Sequence, residues 1–254
     1  MRGAYARRAR VVRIVRALEN FIGCPQQARR LPPPLDMLIA TILSQNTSDR
    51  NSHRAYTTLR ARFPRWEDLA TAPLASMKSA IRSGGMANLK APRIQEILRC
   101  VKERYGAFTL DGLRRRSTEE VIAELISLDG VGLKTAACVL VFSLGRDVFP
   151  VDTHVHRICN RLGLVSGCPT PEKTYSAMQP LIPKGKAYAF HTNLIRFGRK
   201  ICRSTNPACS YCPIYAECRY PGKRRRRSGT PASRTDHNFM LLDNIARTDS
   251  RVSA

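Results

Sequence analysis

The chain has 254 residues, enough for one large or two modest domains with real cores. Lys and Arg number 43 against 19 Asp and Glu, a formal net charge of +24. That balance predicts a polyanionic partner. With no long apolar run and no lipidation signal, nucleic acid is favoured over a membrane surface as that polyanion.

Six arginines precede the first acid, Glu19. Val11, Val12, Ile14, Val15 and Leu18 interleave with Arg10, Arg13 and Arg16, which gives an amphipathic basic helix. A mitochondrial leader would be similarly arginine-rich. This stretch lacks the serines and runs straight into fold-like sequence, so a packed helix with a basic face is expected. Pro32-Pro33-Pro34 then marks a link. In 35–44 the residues Leu35, Leu38, Ile39, Ile42 and Leu43 follow helical spacing, and the polar cluster Gln45-Asn46-Thr47-Ser48-Asp49 ends that helix at an exposed junction.

Further helices are predicted near 51–62, 66–70, 73–83, 89–105 and 117–128, separated by proline or glycine signals, and no strand alternation is evident. Gly84-Gly85-Met86-Ala87-Asn88 reads as a loop, with Met86 either exposed there or tucked into the core. Ser117-x-x-Glu120 is a capping box opening its helix. Gly130 and Gly132 supply the backbone freedom of a tight hairpin. The run 133–144 is then helical and apolar enough to be buried. A single lysine, Lys134, sits in its first turn.

Hairpin amides and a helix N-terminus aim N–H groups at one place, which suits a phosphate. The same partial positive charge disfavours an ammonium, so Lys134 is a candidate nucleophilic amine. Asp152 is a candidate proton acceptor for it, or else only the N-cap of a helix starting at Thr153. Helical patterns continue near 153–162, 171–182 and 186–200.

Cys202, Cys209, Cys212 and Cys218 follow, spaced Cys-x6-Cys-x2-Cys-x5-Cys. Four such thiolates suit a [4Fe–4S] cluster, or zinc. Zinc ribbons usually have two Cys-x2-Cys pairs and here there is one. Disulfides fit poorly, because nine cysteines is an odd number, no signal peptide is visible and the arginine-heavy chain suggests an intracellular protein. Cys24 and Cys168 are scattered, while Cys100, Cys138 and Cys159 read as small buried hydrophobes within helices. Residues 223–254 open with Lys-Arg-Arg-Arg-Arg and read as a disordered basic tail, in which 239–242 could form a small docking patch.

Taken together, Gly130-Val131-Gly132-x-Lys134-Thr135-Ala136, Val151-Asp152-Thr153-His154-Val155-x-Arg157 and the four cysteines resemble the endonuclease III family of base-excision repair enzymes. The resemblance runs over roughly residues 10–222 with the landmarks in the family's order. It implies an all-α fold of two helical lobes with a helix-hairpin-helix motif. Residues 30–147 would form the hairpin lobe, and residues 1–29 with 148–222 the cluster lobe. Lys134 and Asp152 would face each other across the cleft between them.

The implied activity is that of a bifunctional DNA glycosylase and abasic-site lyase. It would act on double-stranded DNA containing a damaged base or abasic site, with oxidised or ring-saturated pyrimidines as the expected lesions. Lys134 and Asp152 match the catalytic pair. Gly130, Val131 and Gly132 would hold phosphate. Met86 and either Gln45 or Asn46 would fill the vacated stack, and His154 would also contact DNA. The four cysteines would hold a [4Fe–4S] cluster. A monomer is expected, cytoplasmic and nucleoid-associated in a bacterium or nuclear in a eukaryote. A monofunctional adenine or mismatch glycosylase, or a catalytically silent DNA-binding protein on the same scaffold, are the alternatives; Lys134 argues against the first.

Overall fold

The computed structural model describes residues 2–224 and Ile245. Among them there is no β-strand. The helices in chain order are α1 (Arg2–Ile22), α2 (Pro34–Ser44), α3 (Asp49–Arg62), α4 (Trp66–Thr71), α5 (Leu74–Ile81), α6 (Ala87–Tyr105), α7 (Thr118–Ile126), α8 (Leu133–Phe142), α9 (Thr153–Arg161), α10 (Pro171–Met178) and α11 (Ala187–Lys200). Short 3₁₀ turns at Arg82–Gly84, Asp111–Arg115, Gln179–Leu181 and Cys209–Tyr211 finish the inventory. Residues 28–146 form one compact unit, and residues 2–27 with 147–224 form a second.

The first unit is built round two helices that are apolar on every side. In α2 every residue from Pro34 to Leu43 is buried, and in α8 every residue from Thr135 to Phe142. Such helices have no solvent face and must form the centre of a core. They pack on each other, and α2 also packs on α3 and α6, α3 on α5, α5 and α4 on α6, and α7 on α8. Two of the unit's fully or nearly buried polar side chains show how such groups find partners. Tyr56 donates its hydroxyl to Asp36 at 3.0 Å, and Thr41 donates to the Met37 carbonyl at 2.7 Å. The proline link is partly structural: Pro34 is the first residue of α2, where its missing N–H costs nothing.

The capping box on α7 forms in both directions. The Glu120 amide donates to Ser117 Oγ at 3.1 Å, and the Ser117 amide donates to Glu120 Oε2 at 2.6 Å. The helix thus begins where the sequence places it.

In the second unit α1 packs on α11, α11 on α9, and α9 on α10. Val11, Ile14, Val15 and Leu18 form the buried stripe of α1. Arg10 departs from the expected basic face, because its side chain is only 11% exposed and pairs with Glu217 at 2.8 Å. It also donates to the Leu162 carbonyl at 2.5 Å, while Arg13 reaches the other Glu217 oxygen at 2.9 Å.

Two smaller expectations also need correcting. Cys100 is half-buried, not fully buried like Cys138 and Cys159. Lys223 belongs to the fold and not to the tail, since its ammonium donates to the Cys218 carbonyl at 2.7 Å and lies 4.6 Å over the Tyr215 ring. The stretches 225–227 and 239–242 lie outside the described residues. Ile245, within the expected disordered tail, is helical and fully buried.

Candidate active site and cysteine loop

Lys134 is half-buried at the second position of α8. What fixes it is the turn before the helix. Leu128 and Val131 are 4% exposed, so both ends of the turn are anchored in the core. Gly130 has φ +72°, a left-handed conformation that glycine adopts without strain. A Cβ there would also run into the Arg93 side chain at 1.9 Å. Arg93 makes an exposed ion pair with Asp129 at 3.5 Å, a contact of about 0–1 kcal/mol.

Two hairpin residues differ from expectation. Gly132 has φ −91°, an ordinary extended value, so the turn does not require glycine there for its backbone. Nor does packing within the protein require it: a Cβ there would meet nothing within 4 Å, so the space in front of the helix end is open. Val131 does not fit a phosphate-binding role. Its side chain is in the core, and its amide donates to the Leu128 carbonyl at 3.1 Å. The amides left without an intrahelical acceptor are those of Leu133, Lys134 and Thr135, the first three positions of α8.

Gln45 and Asn46, adjacent in sequence, part ways in structure. Gln45 is half-buried, and its amide nitrogen lies 3.4 Å from both the Gly130 carbonyl and Thr135 Oγ1. It braces the hairpin. Asn46 is exposed, has φ +52°, and points its amide nitrogen at the Met86 sulfur 3.7 Å away. Met86 is 46% exposed with φ +53°, so it is not a core methionine. Two non-glycine residues in the left-handed region, side by side, mark backbone held against its preference.

Beneath them lies a residue that the sequence reading passed over. Lys90, in the second turn of α6, is 2% exposed. Its Nζ donates to the carbonyls of Leu43 at 2.9 Å, Gln45 at 2.7 Å and Gly84 at 2.9 Å. The one available signal was its spacing, since Lys90 falls in register with the buried Ile94, Ile97 and Leu98. Burial pushes the ammonium down to about 8, whereas the unfolded chain holds that proton to about 10.4. Between those values the unfolded state binds more protons, so the stability contributed by this site rises with pH from about 8 to about 10.4. Urea unfolding from about pH 7 to about pH 10 should show wild type gaining on Lys90→Met across that window.

In the second unit, the segment before α9 is pinned residue by residue. The Asp147 carboxylate accepts from the Gly185 amide at 2.6 Å and the Ala187 amide at 3.1 Å. Gln179 brackets Phe149, accepting from its amide at 3.2 Å and donating to its carbonyl at 2.8 Å. The Phe149 ring stacks on Phe190 with centroids 5.3 Å apart. Asp152 follows as the N-cap of α9, with Oδ1 accepting from the Val155 amide at 2.8 Å. Capping leaves its second oxygen for other work. His154 is half-buried, its Nδ1 3.1 Å from Arg157 Nη2, and that arginine also donates to the Cys202 carbonyl at 2.8 Å.

Cys202, Cys209, Cys212 and Cys218 line one cavity together with Arg161, Tyr215, Tyr220 and Lys223. All nine cysteines are free thiols. Among the described residues no three His, Cys, Asp or Glu side chains gather to hold one metal ion. Four thiols on one cavity are the donor type that either a [4Fe–4S] cluster or zinc takes. N–H groups also face the sulfurs: Arg161 Nη1 lies 3.4 Å from Cys202 Sγ, and the Tyr220 amide 3.4 Å from Cys218 Sγ. Such donors stabilise anionic sulfur.

The sequence matches the HhH-GPD superfamily of base excision DNA repair proteins over residues 39–184, a span that includes the hairpin, Lys134 and Asp152. Endonuclease III of Thermotoga maritima is 38% identical over 203 residues, which make up 80% of this chain and 90% of that protein. The chain belongs to the endonuclease III family. Membership places it among the base-excision DNA glycosylases. An Arabidopsis thaliana protein named for a DNA glycosylase is 43% identical to this family member over 168 residues, 66% of this chain and 57% of that one. The chain thus spans only a little over half of that plant relative. Among solved structures, a trapped endonuclease III–DNA covalent intermediate superposes with a TM-score of 0.72 at 28% identity, covering 86% of this chain and 99% of the other. Among the described residues no helix is long and apolar enough to cross a membrane.

Proposed function

We propose that this endonuclease III family member is a bifunctional DNA glycosylase and abasic-site lyase, acting on duplex DNA with an oxidised or ring-saturated pyrimidine or an abasic site. The observation that carries the reading is Lys134 itself, an amine in the first turn of α8 beside unused amides and the open space before Gly132. A DNA phosphate fits those amides.

A base inside the duplex is out of reach, so the nucleotide is extruded. Asn46 fills the gap and Met86 wedges the stack, a division supported by their exposure and by the commitment of Gln45 to the hairpin. Lys134 Nζ then attacks the sugar C1′ while the glycosidic bond breaks and the base leaves with its electron pair. Loss of a proton from nitrogen and opening of the sugar ring give a Schiff base. Removal of a C2′ proton expels the 3′ phosphate, and water releases the lysine. Asp152 receives a proton and offsets the positive charge developing on the sugar. His154, in the same first turn as Asp152, is assigned to the DNA backbone.

Incubation with abasic-site duplex, with and without borohydride, tests the reading. Strand cleavage and a covalent adduct are expected; release of the lesion base without strand cleavage or adduct would mean a monofunctional glycosylase, and neither base release nor cleavage would leave a silent binding protein.

The four cysteines are assigned to a [4Fe–4S] cluster. When bound, it would be fully ligated, with no open position for hydrolytic work, and would serve structure and DNA contact. About four irons and four acid-labile sulfides per chain are expected, falling sharply in Cys212→Ser with loss of visible colour. Zinc in place of iron would overturn this assignment.

A further inference from the structure

Lys90 is the only buried lysine among the described residues, and it serves no role in the chemistry above. Its three acceptors are distributed in a telling way. Leu43 and Gln45 belong to the end of α2, immediately before Asn46, while Gly84 belongs to the turn immediately before Met86. The backbones are also close without it, since a Cβ on Gly84 would lie 3.6 Å from the Leu43 carbonyl and 3.0 Å from Ala55 Cβ. Gln45 then extends the connection through its side chain to Gly130 and Thr135.

We infer that Lys90 is the positioning residue for strand insertion: it clamps the Asn46 and Met86 loops at fixed separation, so that both side chains enter the duplex as one rigid wedge. The inference rests on the insertion roles given above. The argument is geometric. Two buried carbonyls and a half-buried one, from two loops, share one donor, and an ammonium supplies the three N–H groups they need. Removing it takes away that shared donor, leaves the two buried acceptors without it and lets two strained loops relax independently. Met86 is the N-cap of α6, its carbonyl accepting from the Leu89 and Lys90 amides at 3.0 Å, so the Lys90 side chain ties the Asn46 side to the helix that already carries Met86. A wedge must resist the stacking it displaces, which amounts to a few kcal/mol. Loops free to relax would give way first.

The test compares single-turnover cleavage by wild type and Lys90→Met on two substrates: an abasic site in fully paired duplex, and the same site within an unpaired bulge. A 2-aminopurine opposite the site in the duplex reports insertion by its fluorescence. Loss of positioning is expected to slow the variant about 100-fold on paired duplex. On the bulge, where unstacking is already complete, it should slow about threefold or less. The 2-aminopurine change should disappear. Adding Asn46→Ala and Met86→Ala to Lys90→Met should slow the duplex reaction little further, because the lysine acts through those two residues.

Equal losses on both substrates would reduce Lys90 to general support of the fold, and an undiminished duplex rate would remove its role altogether. If Lys90→Met does not fold, Lys90→Arg keeps the charge and donors at altered reach, and the same selective loss, smaller in size, is expected. Wild-type protein that cleaves neither substrate overturns the lyase reading itself, an outcome separate from wild-type cleavage with an unselective variant.

Discussion

Lys134→Ala is expected to abolish both strand cleavage and the borohydride-trapped adduct, a loss of about 10⁴-fold or more, while the protein folds and binds DNA. The separation follows from where the residue sits. It is half-buried at the second position of α8, and the buried face of that helix starts one residue later at Thr135. Alanine is the best helix former and removes a cation from the positive end of a dipole, so the melting temperature should hold or rise slightly. One cation among 43 is lost, so affinity for abasic duplex should fall by less than about tenfold. A trapped adduct of normal yield from this variant would mean that another amine attacks the sugar.

The second large effect is expected at Asp152. Its Oδ1 caps α9 through the Val155 amide, and asparagine caps helices equally well with the same oxygen. Asp152→Asn should therefore leave thermal stability nearly unchanged while slowing base excision about 10²- to 10³-fold, because it removes the charge and the proton acceptor alone. Asp152→Ala should show the same rate loss together with about 1 kcal/mol of destabilisation from the lost cap. Normal excision by the asparagine variant would confine the residue to its capping role. The pair of variants separates the observed capping by Oδ1 from the proposed catalytic duty of the same carboxylate.

Much of this was legible in the sequence for a definite reason. Helix boundaries are local properties: periodicity, a Ser-x-x-Glu box and glycine or proline punctuation located nearly every helix, because each signal acts within one or two turns. The candidate chemistry-bearing residues stand out in the sequence as well, since their types are uncommon in those places, and the roles given to them are those proposed above. What could not be read was any interaction between a side chain and distant backbone. Lys90 finds carbonyls 47 and 45 residues away, and Arg10 finds the Leu162 carbonyl 152 residues on. A carbonyl carries no residue-type signature, so such bonds leave no trace in composition. The amide of Val131, spent on the Leu128 carbonyl, is a related case. A hairpin motif does not say which of its amides are spent inside the turn.

The choice between Gln45 and Asn46 shows the same limit from the other side. Both are polar and adjacent, and sequence register alone left them equivalent. The structure distinguishes them through backbone: Gln45 leaves α2 with φ −63° and turns back toward the hairpin, while Asn46 takes the left-handed φ that carries it outward.

The division of the chain has a consequence for its synthesis. Apart from Ile245, the described residues of the hairpin unit emerge from the ribosome as one continuous stretch of about 120 residues and can collapse as they appear. Helix α1, made earlier, must wait through that stretch and on to the end of α11, roughly 9–36 s at ordinary elongation rates, before its partner α11 exists. Until then its stripe of Val11, Ile14, Val15 and Leu18 is uncovered, flanked by arginines in a cell full of nucleic acid. Nascent chains of this protein should depend more on holdase chaperones, or on the speed of translation, than the finished molecule's stability would suggest.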